Sequence, residues 1–169
     1  MAEKLNSMRI LEQHKIPYEV LAYPDTVHDA QEVAEILGVP DFMVYKTLVV
    51  QSENPTQPKP YLVMIASENK LDLKKMALAA GVKKVRMAAH KDAEAMTGLK
   101  VGGISALALM QKGWQVYLDQ PASQLQHIVM SAGQRGTQLR VPVVPLVNLL
   151  RVRLAEISIP NEDDESGDE

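Results

Sequence analysis

Val44-Tyr45-Lys46-Thr47-Leu48-Val49-Val50 and, across a proline-rich loop, Tyr61-Leu62-Val63-Met64-Ile65-Ala66 are the stretches that decide the fold. Both are dense in β-branched, aromatic and aliphatic residues, so both read as interior strands. The connecting Asn54-Pro55-Thr56-Gln57-Pro58-Lys59-Pro60 is a loop by composition, which makes the two strands antiparallel neighbours. Alternation puts Lys46 on one face with Val44, Leu48 and Val50. A lysine amongst aliphatic side chains must reach out to water, find an anion, or lose its proton. Two readings stand open on this run: an edge-strand lysine that blocks strand addition, or a fixed cation at the floor of a pocket.

Upstream, Leu5, Met8 and Leu11 lie at helical spacing, predicting an amphipathic helix over Ala2–His14, and Tyr18–Tyr23 reads as a strand. Asp29-Ala30-Gln31-Glu32 is a capping box for a helix that Gly38 stops. Downstream, Asp72 caps a helix ended by Gly81, Lys83–Met87 predicts a short strand and Lys91–Met96 a short helix. Trp114–Leu118, Gln126–Met130 and Thr137–Val141 predict further strands. Leu146, Leu149, Leu150 and Leu154 predict one closing helix from Pro145 to about Ile157. Helices and strands intermix without a βαβ rhythm. The expectation is α+β, a single compact domain over residues 1–158 with a mixed sheet flanked by helices.

The 46% hydrophobic content over 169 residues is enough for one sizeable core. No apolar stretch is long enough for a membrane span and no leader pattern opens the chain, so a cytoplasmic protein with no membrane partner is expected. The absence of cysteine excludes disulfides, thiolate nucleophiles and cysteine metal sites. Aromatics at 4% argue against a stacking platform for single-stranded nucleic acid. The net charge of −3 hides an asymmetry: residues 159–169 carry six acids and no base, leaving 18 bases against 15 acids in the body. That acidic tail has nothing to bury and is expected to be disordered. A body at +3 points to local contact with nucleic acid, not a broad electrostatic one.

Three segments could carry chemistry. The first is the Lys46 strand. The second is Val101-Gly102-Gly103-Ile104-Ser105, whose glycines permit positive φ and whose amides could face a carbonyl or oxyanion; a simple tight turn is the alternative. The third is Ser131-Ala132-Gly133-Gln134-Arg135-Gly136 between two strands, suited to gripping a phosphate or ribose, or else a hairpin loop with a solvent-facing arginine. No acid or histidine is placed to activate Ser131 as a nucleophile. His14, His28, His90 and His127 are scattered without ligand spacing, so no metal is expected. Lys74, Lys75, Lys83, Lys84, Arg86, Lys91 and Lys100 read as solvated surface, or as a phosphate-backbone patch if they converge.

Taken in order, Val44–Leu48, Lys70–Lys75, Lys83-Lys84-Val85, Thr97-Gly98, Val101–Ser105 and Ser131–Gly136 resemble the YbaK/EbsC family of aminoacyl-tRNA deacylases, related to the editing domain of bacterial prolyl-tRNA synthetases. The resemblance implies a partly barrel-like mixed sheet and hydrolysis in trans of mischarged tRNA, most typically Cys-tRNA(Pro), with no cofactor. It implies that Lys46 is the central functional residue, engaging the 3′ end of aminoacyl-tRNA. Thr47, Tyr23, the loop of Gly102, Gly103, Ile104 and Ser105, and the loop of Ser131, Gly133 and Arg135 would line the same cavity. Prolyl-tRNA synthetase is an implied partner. Two positions depart from the family pattern, Ala106 where proline is common and Gln134 where lysine is common. Ala-, Ser- or Thr-tRNA therefore stand beside Cys-tRNA as substrates, and a non-catalytic module holding a tRNA end or nucleotide stands as the alternative to an enzyme.

Overall fold

The computed structural model describes residues 4–27 and 29–161. Helix α1 (Asn6–Gln13) leads into strand β1 (Glu19–Ala22) and α2 (Ala30–Leu37). Strands β2 (Tyr45–Ser52), β3 (Tyr61–Ala66) and β4 (Asn69–Leu71) precede α3 (Leu73–Ala80), β5 (Val85–Met87) and α4 (His90–Thr97). Strands β6 (Val116–Asp119), β7 (His127–Ser131) and β8 (Thr137–Pro142), helix α5 (Val143–Leu150), and strands β9 (Arg153–Ala155) and β10 (Ser158–Pro160) complete the chain.

The two deciding strands pair antiparallel over their length, with Lys46 opposite Ile65 and Val50 opposite Tyr61. They form the middle of a mixed sheet in the order β5-β2-β3-β6-β9, in which β6 runs parallel to both β3 and β9. A second sheet, β1-β8-β7, is antiparallel, and β10 pairs with β4 as a short ribbon. An isolated bridge from Val44 to Val129 ties the start of β2 to β7, joining the two larger sheets at one point. This is the expected α+β domain of mixed sheets and flanking helices, with no sheet closed into a barrel. One face of β2 and β3 buries Tyr45, Val49, Leu62 and Met64 in the main core with Leu107, Leu118, Ile128 and Leu146. The other face buries Val50, Val63 and Ile65 against Met76 of α3.

The local signals for α2 and α3 act as read. Asp29 accepts from the Glu32 amide, Asp72 accepts from the Lys74 and Lys75 amides, and Gly38 and Gly81 take the left-handed conformation that ends each helix. The closing helix does not extend to Ile157. It stops at Leu150, Arg151 turns left-handed with φ 53°, and Leu154 lies in β9 paired with Leu118 of β6. The helical spacing of the leucines continues past the point where pairing with β6 captures the backbone, so tertiary pairing overrides periodicity. Strand pairing runs on to Pro160, two residues beyond the expected end of the body, and the acidic residues from Glu162 onward lie outside the described residues. No helix among the described residues is long and apolar enough to cross a membrane.

Candidate functional site

Strand β5 pairs with β2 only from Val50 onward, so the first half of β2 has β3 on one side and no ladder partner on the other. A cavity of about 270 Å³ opens there, between the start of α2, the start of α4, the glycine loop and the β7–β8 region. Lys46, Thr47, Gly102, Ile104 and Ser131 line it, as do Asp29, His90 and Gln138. Lys46 therefore lines a cavity. It sits where its strand has a free edge, and that edge is the cavity wall.

Lys46 is half-buried and makes no ion pair with a described residue. Burial pushes its pKa below the ordinary 10.5, and the negative charge of Asp29 opposes that fall. Two further groups are left unpaired. Thr47 Oγ1 and Gln138 Oε1 are both buried with no hydrogen-bond partner. Gln138 spends its amide nitrogen on a long 3.5 Å contact to the Tyr23 hydroxyl, which turns its acceptor end elsewhere. Unpartnered buried oxygens are uncommon because each costs the desolvation of the group. Both belong to residues that line the cavity.

The glycine loop is held rigidly. The Val101 amide donates to Glu94 Oε2 at 2.9 Å, and Arg135 Nε donates to the Val101 carbonyl at 2.6 Å. Thr97 Oγ1 accepts from the Leu99 amide, so Thr97-Gly98 is the turn that launches the loop. The two glycines then divide their tasks. Gly102, at φ 92°, lines the cavity. Gly103 gives its amide to the Lys100 carbonyl at 2.7 Å and lies so close to the opposite loop that a Cβ would stand 2.8 Å from the Arg135 nitrogen. Gly103 is therefore a packing glycine, and Gly102 is the one that lines the cavity.

Of the other expected residues, Ile104 and Ser131 line the cavity and the rest sit around it. Ser105 is fully buried and its hydroxyl accepts from the Ala108 amide, closing a turn beneath the loop. Ser131 Oγ accepts from the Gly133 amide while still lining the cavity, so it shapes the loop it belongs to. Gly133 holds positive φ at 118°, and Arg135 is committed to Val101. Tyr23 is buried and reaches the cavity only through Gln138. The two departures, Ala106 and Gln134, are both outside the cavity lining: Ala106 is buried in the main core, and Gln134 bonds Thr137 Oγ1. Asp29, His90 and Gln138 went unassigned from sequence. Asp29 reads as a helix cap and serves as one, which masks its second position beside Lys46. His28 lies outside the described residues. Among the described residues, no three His, Cys, Asp or Glu side chains cluster in a way that could hold a metal ion.

A family profile, the aminoacyl-tRNA editing domain, matches residues 24–149. The chain belongs to that family. A protein of Enterococcus faecalis (strain ATCC 700802 / V583) named "Putative Cys-tRNA(Pro)/Cys-tRNA(Cys) deacylase EbsC" is 40% identical over 158 residues, covering 92% of this chain and 94% of that protein. Among solved structures, hypothetical protein APE2540 superposes with a TM-score of 0.80 at 23% identity, over 89% of this chain and 97% of its own. A structure described as "a putative trans-editing enzyme for prolyl tRNA synthetase" superposes with a TM-score of 0.74 at 22% identity, over 94% and 99%. At those identities the two structures establish the fold. Within the editing domain, the matched span encloses the cavity and both loops that shape it.

Proposed function

We propose that the protein is a trans-editing hydrolase that deacylates mischarged aminoacyl-tRNA, with Cys-tRNA(Pro) as its main substrate. The observation that carries this reading is the cavity's chemistry: one half-buried cation whose pKa burial lowers, beside two buried acceptors that lack donors. The end of an aminoacyl-tRNA supplies the complement. Its α-ammonium and ribose hydroxyl are donors for Gln138 Oε1 and Thr47 Oγ1. Its ester carbonyl, which becomes an oxyanion as it is attacked, meets Lys46 and the Gly102 amide. A volume of about 270 Å³ holds a small aminoacyl group but not a whole nucleotide, so the adenine lies toward the mouth.

No lining side chain is a strong nucleophile. The site therefore acts by holding the ester for attack by water or by a group on the substrate itself. In a cysteinyl ester the substrate thiol forms a C–S bond to its own carbonyl as the ester C–O bond breaks, and the thiol proton passes to the departing ribose oxygen. Water then opens the cyclic thioester. Intramolecular attack gains an effective molarity on the order of 10⁵ M or more when well oriented, and it makes the selection chemical, since seryl and alanyl esters lack the sulfur. The name of the Enterococcus protein supports this choice of amino acid, and it gives tRNA(Pro) beside tRNA(Cys). The second solved structure supports a prolyl-tRNA synthetase partner, and a cytoplasmic setting follows from that role.

The deciding experiment offers purified protein Cys-, Ala-, Ser- and Thr-tRNA under single-turnover conditions. Release of cysteine well ahead of the other three is expected. Faster release of alanine, serine or threonine would move the substrate. Retarded tRNA mobility with no amino acid released would replace the enzyme with a binding module.

A further inference from the structure

The charges around the cavity mouth are sorted by side. On the α2 side a neighbouring surface depression is lined by Asp29, Glu32, Glu35 and Asp41, with no base in its lining. On the other side the chain from Gly81 to Lys91 carries Lys83, Lys84, Arg86, His90 and Lys91 and no acid. His90 lines the cavity itself. From it the chain runs back through β5, the outermost strand of the five-stranded sheet, to a shallow groove lined by Lys83 and Lys84 with Gly81, Asn54 and a single acid, Glu53.

Lys83, Lys84, Arg86 and Lys91 are all exposed, and none makes an ion pair with a described residue. These are charges with no ion-pair partner among the described residues: Arg86 lies in β5, whose other flank pairs with β2, Lys83 and Lys84 just precede that strand, and Lys91 lies in α4. Lys74 and Lys75 lie in α3, and Lys75 already meets Glu156 at 3.3 Å. Seven residues separate Lys83 from His90, a span of at most about 25 Å. That matches several stacked nucleotides at about 3.4 Å each along one strand.

We propose that the acceptor strand of the tRNA leaves the cavity past His90 and runs along the β5 edge, its phosphates met in turn by Lys91, Arg86, Lys84 and Lys83. The assignment rests on the deacylase reading and adds a direction to it. A polyanion leaving toward α2 would pass four carboxylates, whereas one leaving along β5 passes four cations that make no ion pair with a described residue, with Asp92 and Glu53 at the two ends of the run. The groove at Lys83 and Lys84 is the far end of the track, and Glu53 sets its boundary.

Binding of uncharged tRNA tests the path without requiring turnover. Lys83→Gln, Lys84→Gln and Arg86→Gln are combined in one protein and compared with wild type across a salt titration, with a triple Gln variant at Lys4, Lys15 and Lys112 as the equal-charge control. The β5 variant is expected to bind at least 10-fold more weakly at low salt. The slope of log affinity against log salt is expected to fall by about 2, as the loss of three phosphate contacts to a single strand requires. Deacylation of a short 3′-terminal aminoacyl fragment, which does not reach β5, is expected to match wild type. Unchanged tRNA affinity and slope overturn the path, as does an equal loss in the control variant. If wild type binds tRNA along β5 but releases no amino acid, the path stands and the hydrolase reading fails.

Discussion

Asp119 and the Thr47–Gln138 pair are both buried polar groups, yet they are treated oppositely. Asp119 is 1% exposed, and its carboxylate is fully used: Oδ1 accepts from the Ile157 amide at 3.0 Å and Oδ2 from the Ser158 hydroxyl. It clasps the end of β6 to the C-terminal segment, holding β9 and β10 in place. Thr47 Oγ1 and Gln138 Oε1 are as thoroughly removed from water but bond to nothing in the fold. Under the proposed function, the incomplete pair is the one that a ligand would complete. Structure satisfies its own hydrogen bonds, and a binding site leaves them for the substrate.

Substitutions should separate the two clusters by which property they damage. The largest effect is expected at Lys46. Lys46→Met should lower single-turnover deacylation by roughly 10²–10³-fold, the range for losing one electrostatic stabiliser of an oxyanion, while thermal unfolding shows a folded protein. A well-folded Met variant with normal turnover would falsify the central place given to Lys46. Next, Asp119→Ala should cost about 3 kcal/mol of stability by stranding the Ile157 amide and losing charge-assisted bonds. Its turnover per folded molecule should be near wild type at low temperature. Urea unfolding monitored alongside activity checks this, and a stable but inactive Asp119→Ala protein would erase the contrast.

Gln138→Leu and Thr47→Val come third. Each should slow deacylation by about 10-fold, the worth of one hydrogen bond in a desolvated site at about 1.4 kcal/mol. Stability should stay within about 1 kcal/mol, because each removes a buried oxygen that has no partner in the free protein, and Gln138→Leu gives up in addition only the long 3.5 Å contact to the Tyr23 hydroxyl. Thr47→Ser, which keeps the hydroxyl, should retain most of the activity. A stability loss at Thr47→Val as large as that at Asp119→Ala would mean that its hydroxyl serves the fold.

The same contrast explains what the sequence discloses. Local signals carry α2 and α3, since a capping aspartate and a terminating glycine act within a few residues of one another. The β2–β3 pair is equally legible, because a short proline-rich loop leaves two apolar strands little choice but to pair. The closing segment is not, because the parallel pairing of β9 with β6 joins residues far apart in the chain, and nothing in Leu146–Leu154 announces it. The site divides along the same line. Lys46 is visible as a charge out of place amongst aliphatics. Gln138 sits in a strand as an ordinary polar residue, and only the fold shows that its oxygen has no partner. Arg135 and Gly103 are visible as candidate contacts, and only the fold shows that Arg135 Nε bonds the Val101 carbonyl and that Gly103 packs against the opposite loop.

The smallest effect, and the one that probes Lys46 most directly, is on the pH dependence of stability. Burial lowers the pKa of Lys46 in the folded protein below 10.5, so over the interval between that lowered value and 10.5 the unfolded chain binds more protons than the folded one. Stability contributed by this group therefore rises as pH climbs through the interval, and below it the folded protein carries the cost of a desolvated ammonium. Lys46→Met removes that cost. At pH 7 the variant should melt at or slightly above the wild-type temperature, and the gap should close as pH approaches 10.5, with Asp29 limiting its size because its charge favours the ammonium. Filling the cavity should act in the opposite direction. An anionic mimic of the attacked ester stabilises the charged lysine, so its binding should weaken as pH rises through the same interval in wild type and stay flat in the Met variant. Paired melting curves with and without such a mimic measure both slopes, and a wild-type binding slope no steeper than that of Lys46→Met would remove the lysine from the ligand's surroundings.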